Sequence, residues 1–317
     1  MKHMLPKALK AGDTIGMIAP SGSFKDQSRV ESSRLALEAL GFRVVAGESC
    51  LHKYGYLAAP DALRASDINT FFADPCIDGI VCMKGGYGTP RILDRLDYDL
   101  IAANPKVFAG YSDITGLHMA FRRYAGFPTF HTPMAISMVD GFDEFSAASW
   151  MAALTSVEPL GLLSPLPDNG GESSSGPRAL VGGRARGPLV GGNLSLVAAL
   201  TGTPYELIPD GAILFLEDVD EEPYRIDRML TNLRLAGYFD RCSGVVLGHW
   251  THCDAKDPER SLTLEQVFAD VIAPSGKPTL TGFAAGHSTP THSFPLGVQA
   301  VLDADAGTLV IVEAACR

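Results

Sequence analysis

The chain has 317 residues and a mass of 33.7 kDa, with 46% hydrophobic and 20% charged residues and a mean hydropathy of +0.11. At about 100–200 residues per domain this is room for two modest domains, and a chain of this size needs no disulfide or metal staple to bury a core. A formal net charge of −10 and a pI of about 5.2 give an acidic surface, which argues against a nucleic-acid partner.

In chain order, Thr14–Pro20 reads as a strand, 27–40 as a helix stopped by Gly41, and 42–47 as a second strand. Pro60 opens a helix to Ala73, 78–84 is a non-alternating apolar strand, and 106–110 is another. Strand and helix in alternation imply a parallel sheet with helices on both faces. The stretch 162–178 is rich in Pro, Gly and Ser, so 161–183 is expected to be a linker between a domain over 1–160 and a second over 184–317. The second half continues with strands at 212–218 and 244–250, a helix around 223–237, and strands at 297–302 and 308–313. No run of ~20 apolar residues offers a membrane span, and the apolar run near the N-terminus is too short for a signal peptide, so a cytoplasmic protein is expected. The six cysteines show no CxxC spacing and are expected to be reduced and buried.

Chemistry concentrates in four places. Gly110-Tyr111-Ser112 joins an apolar strand to a helix with Leu117, Phe121 and Tyr124 on one face. Ser112 there is either an exposed nucleophile or a helix cap, and Ile114 stands where a nucleophile elbow has its second glycine. The loop 83–91 has three glycines in four positions (Gly85, Gly86, Gly88) but neither a phosphate-loop lysine nor a third dinucleotide glycine. It is either an oxyanion-binding turn or a plain tight turn on the same rim as Ser112. Glu217 ends the strand reading at 212–218, where an unpaired carboxylate is costly. The acids that follow it favour a helix N-terminus, and Arg225 and Arg228 offset part of their charge. Among eight histidines, His287 lies between glycine-bearing turns, and His118 and His131 sit in apolar, structural surroundings. His249, His252 and Cys253 do not have a zinc spacing.

Taken together, the segments 12–22, 84–97, 110–115, 191–204, 214–230 and 286–297 resemble the LD-carboxypeptidase family of serine peptidases, in family order and over nearly the whole chain outside the linker. The resemblance implies an α/β fold with a doubly wound, mostly parallel N-terminal sheet, a β-rich C-terminal α/β domain, and an active site at the domain interface. It implies a Ser112–Glu217–His287 triad, an oxyanion hole from the backbone N–H groups of Gly86 and Asp113, no cofactor, no metal, and a homodimer. The substrate would be a murein tetrapeptide losing its terminal D-Ala, with the acids 218–222 attracting the side-chain amine and Arg91 or Arg225 the carboxylate. Thr291 and Ser293 depart from the family's final block. An immunity-type amidase acting on aminoacyl adenylates shares this fold and triad. A non-catalytic protein holding a phosphate at Gly85–Gly88 is the reading from another class.

Overall fold

The computed structural model describes residues 4–139, 141–163, 176–207 and 209–317. Its contacts divide the chain into two units, Met1–Glu158 with Ser293–Gly297 and Ala314–Arg317, and Pro159–His292 with Val298–Glu313.

The first unit alternates strand and helix as β1 (Thr14–Ile18), α1 (Ser28–Ala39), β2 (Arg43–Ala46), α2 (Asp61–Ala73), β3 (Gly79–Cys82), α3 (Tyr98–Ala103), β4 (Val107–Gly110), α4 (Thr115–Ala120), β5 (Thr129–His131) and α5 (Glu144–Thr155). Every residue of β1, β3 and β4 is buried, the signature of strands covered on both faces. β2, at the sheet edge, alternates exposed and half-buried residues. Phe72 and Phe108 stack at 6.1 Å, and Phe121 meets both edge-on at 5.4 and 4.9 Å, which locks α2, β4 and the turn after α4 into one apolar cluster.

The second unit contains β6 (Gly161–Leu162), β7 (Arg178–Val181), β8 (Arg184–Asn193), α6 (Leu194–Leu200), β9 (Ile213–Val219), α7 (Pro223–Leu235), α8 (Tyr238–Arg241), β10 (Gly244–Thr251), α9 (Leu264–Val271) and β11 (Thr279–Thr281). The chain then gives β12 (Phe294–Leu296) to the first unit and returns with β13 (Gln299–Asp303) and β14 (Thr308–Ile311). The eight-stranded sheet runs β6-β14-β13-β8-β9-β10-β11-β7, with β8 to β11 parallel and its flanking pairs antiparallel. β13 and β14 alternate buried and half-buried residues, as one-sided antiparallel strands do.

In the first unit's sheet the order is β12-β5-β4-β3-β1-β2, parallel except for β12. The order reverses between β1 and β3, so the loops leaving their carboxyl ends form the crevice where doubly wound sheets bind ligands. The expected mixed α/β architecture, with a parallel sheet and a second, β-rich sheet, is what the chain forms. The segment expected as a linker has its described ends in β6 and β7, while 164–175 lies outside the described residues. Among the described residues no helix is long and apolar enough to cross a membrane. Five of the free cysteines are buried, and Cys76, expected inside, is exposed at the turn after α2, where its N–H caps the Asp74 carboxylate.

Candidate active site

Ser112 follows β4 directly. Tyr111 is extended, Ser112 takes a left-handed φ of 64°, and Ser112–Ile114 forms a tight turn before α4. A left-handed serine is uncommon and costs on the order of 1–2 kcal/mol, so the surrounding structure must impose it. Part of that imposition is visible. Ile114 is fully buried, and a methyl built on Gly110 would lie 3.0 Å from its side chain. Gly110, without a Cβ, leaves the room that the Ile114 side chain occupies. His118, one turn into α4, bonds the Gly110 carbonyl at 2.9 Å, and burial lowers its pKa to about 4, leaving a neutral structural imidazole as expected.

The glycine loop lies against this elbow. A Cβ on Gly85 would sit 3.0 Å from Ser112 Oγ, so only glycine leaves the hydroxyl its space. Gly86 is exposed with a φ of +117°. Neither its N–H nor that of Asp113 donates to a protein acceptor among the described residues. The Asp113 side chain is fully buried, and its Oδ2 accepts from Ser21 Oγ at 2.5 Å and from the Thr89 N–H at 2.8 Å. Burial raises its pKa, against the lowering effect of the hydrogen bonds from Ser21, Thr89 and Gly88.

In the second unit, Glu217 lies inside β9, two residues before its end, and its side chain is fully buried. Its Oε2 meets His287 Nδ1 at 2.7 Å, while Oε1 has no donor among the described residues. Gly286 makes this approach feasible, since a Cβ there would lie 2.9 Å from Oε2. For His287, burial pushes the pKa down, but the hydrogen bond and charge of Glu217, aided by Asp218 and Asp220, outweigh it and leave the imidazole above its ordinary value. A buried carboxylate on Nδ1 fixes the tautomer with Nε2 as the acceptor and stabilises the imidazolium that forms when Nε2 takes a proton.

The acids after Glu217 are engaged elsewhere. Asp218 is buried and accepts from Asn193 Nδ2, Ser195 N, Ser195 Oγ and Val219 N, anchoring the start of α6; burial raises its pKa to about 6. Sequence patterning hid that role, which depends on β8 and β9 pairing in parallel. Asp220 pairs with His252 at 3.2 Å, Glu221 with Arg225 at 3.4 Å and Glu222 with Lys256 at 3.2 Å. Arg91, offered as a carboxylate reader, is held bidentately by Asp61. His252 is exposed, His249 is partly buried with a lowered pKa, and the Cys253 thiol is pushed up to about 12 by burial; among the described residues no group of His, Cys, Asp and Glu is arranged to hold a metal. His131 stacks on Phe294 at 5.3 Å and His292 on Phe283 at 5.3 Å.

Comparison with known proteins identifies the family of the chain. Residues 15–132 match the LD-carboxypeptidase N-terminal domain and 186–302 the LD-carboxypeptidase C-terminal domain. A probable murein peptide carboxypeptidase of Bacillus subtilis is 40% identical over 96% of this chain and 93% of its own. Among solved structures, the muramoyltetrapeptide carboxypeptidase of Oxalobacter formigenes superposes with a TM-score of 0.82 at 28% identity, covering 95% of this chain and 99% of its own. The microcin C7 self-immunity protein MccF, solved with glutamyl sulfamoyl guanosine, gives 0.89 at 25% identity over 99% of both chains. The chain belongs to the LD-carboxypeptidase family of serine peptidases.

Proposed function

We propose that the protein releases the terminal D-Ala from murein tetrapeptides, with Ser112 as nucleophile, His287 as general base and acid, and Glu217 as the carboxylate that orients His287. The observation that carries this reading is the Glu217–His287 pair. An imidazole of raised pKa, held at 2.7 Å by a buried carboxylate, is built to receive and return a proton. Half-buried Ser112, held in a left-handed backbone at the end of β4, supplies the other half of the chemistry.

In this reading His287 takes the Ser112 proton as Oγ attacks the carbonyl of the third residue. The Gly86 and Asp113 N–H groups meet the oxyanion. His287 then protonates the departing D-Ala amine, and water hydrolyses the acyl-enzyme with His287 as base. The triad asks for no metal or cofactor. The family resemblance also supports a homodimer working in the cytoplasm; sedimentation of the purified protein checks the oligomeric state, and cell fractionation the location.

Mass spectrometry of the peptide L-Ala–D-Glu–diaminopimelate–D-Ala, and of its lysine counterpart, before and after incubation tests the substrate. Loss of one alanine is expected. The pentapeptide ending in D-Ala–D-Ala should persist, because its last bond joins two D-centres. Release of D-Ala from the pentapeptide at a comparable rate overturns the LD assignment. Cleavage of an aminoacyl sulfamoyl nucleoside with the tetrapeptide untouched moves the protein to the MccF-like activity, the reading that the 0.89 superposition favours.

A further inference from the structure

Asp113 has a side chain for which the triad has no use, yet it joins three strand ends of the first unit. Ser21 follows β1, Thr89 ends the glycine loop after β3, and Asp113 itself follows β4. Its Oδ2 takes the Ser21 hydroxyl and the Thr89 N–H, and its own carbonyl takes the Thr89 hydroxyl at 2.5 Å. On the other side of the loop the Gly22 N–H holds the Gly85 carbonyl at 3.1 Å. Arg64, with no exposed surface, donates to the carbonyls of Gly88 at 2.9 Å, Ala59 at 3.0 Å and Pro20, and to the Asp61 carboxylate at 2.5 Å. Gly86 is therefore fixed from both directions. Gly85 is pressed on Ser112 and tied to Gly22, while Gly88 and Thr89 are tied to Arg64 and Asp113.

We propose that Asp113 is a positioning residue for the oxyanion donor: its buried carboxylate holds the glycine loop against the nucleophile, so that the Gly86 N–H is in place before charge develops. This rests on the triad reading above. A donor fixed in advance costs no reorganisation in the transition state, and a displacement of about 1 Å costs on the order of 10²-fold in rate. The carboxylate thus acts on the rate of acylation and leaves ground-state binding of the peptide largely unchanged.

The test is the rate at which a fluorophosphonate labels Ser112. In that reaction the Oγ–P bond forms, fluoride leaves, the hydroxyl proton passes to His287, and the phosphoryl oxygen enters the oxyanion site. Rates are normalised to folded protein by near-ultraviolet circular dichroism. Asp113→Ala should label about 10²-fold more slowly. Asp113→Asn keeps an acceptor oxygen for Ser21 and Thr89, and should recover to within about 10-fold of the parent. Ser21→Ala removes one bond to that carboxylate and should slow labelling by about 3- to 10-fold, which carries the test if Asp113→Ala does not fold. Thr89→Val removes only the hydroxyl's bond to the Asp113 carbonyl, keeps the N–H bond to the carboxylate and should slow it less. On the tetrapeptide the same variants should lose kcat with KM nearly unchanged. Labelling of all four at the parent rate, or a loss confined to KM, overturns the proposal. A parent protein that is not labelled at Ser112 overturns the triad reading itself, so the two failures are distinguishable.

Discussion

Glu217 and His287 show how much a single contact decides. The imidazole must be neutral to accept the Ser112 proton, so kcat/KM rises with pH through the His287 pKa. That pKa is raised because Glu217 outweighs burial. Glu217→Gln removes the charge and leaves the burial, so the rising limb should move to lower pH while the plateau falls by about 10³- to 10⁴-fold. A pH–rate profile of the variant checks both effects, and an unmoved limb with near-parental turnover would remove Glu217 from the triad. The sequence singled out each by its setting, a carboxylate in an apolar strand and a histidine between glycine turns, but local pattern left the role of His287 open, and only the family resemblance implied that the two belong together. The engagement of Asp218 with Asn193 and Ser195 was not legible, because it depends on which strand lies beside β9.

At the scale of elements, the strand-to-helix elbow stores its strain in one residue. If the left-handed φ of Ser112 is imposed by the fold, Ser112→Gly should be about 1 kcal/mol more stable than Ser112→Ala, since glycine accepts that backbone and alanine does not. Urea denaturation of the two inactive variants measures the difference, and equal midpoints would show that the backbone relaxes once the hydroxyl is gone. The strands β1, β3 and β4 could be read from sequence because strands buried on both faces are continuous apolar runs. β5 and β12, three residues each, could not. They pair with one another across more than half the chain, and β12 carries Pro295, which is tolerated at the sheet edge it occupies. β8 was obscured by Gly187, Gly191 and Gly192, residues depleted in strands.

For the whole molecule, the departure from a linear division of the chain is informative. The sequence suggests one domain followed by another, whereas Ser293–Gly297 and Ala314–Arg317 complete the first unit. Local pattern carries no record of such returns, since they are fixed by pairing with distant segments. The last residues are tied to the first: the Arg317 N–H bonds the Pro6 carbonyl at 3.0 Å, the Ala8 N–H bonds the Arg317 carbonyl at 3.2 Å, and Cys316 is buried. Deleting 314–317 should therefore destabilise the first unit by about 2–4 kcal/mol. Urea denaturation followed through Trp150, in a Trp250→Phe background, reports on that unit, and an unchanged midpoint would show that these contacts contribute nothing.

D-alanine release from the purified murein tetrapeptide, measured side by side for the parent protein and Ser112→Ala, tests the central claim most directly. The parent should release one D-alanine per tetrapeptide, and the variant, folded to the same extent, should release it at least about 10³-fold more slowly. Release at the parent rate by Ser112→Ala would contradict the assignment of Ser112 as nucleophile.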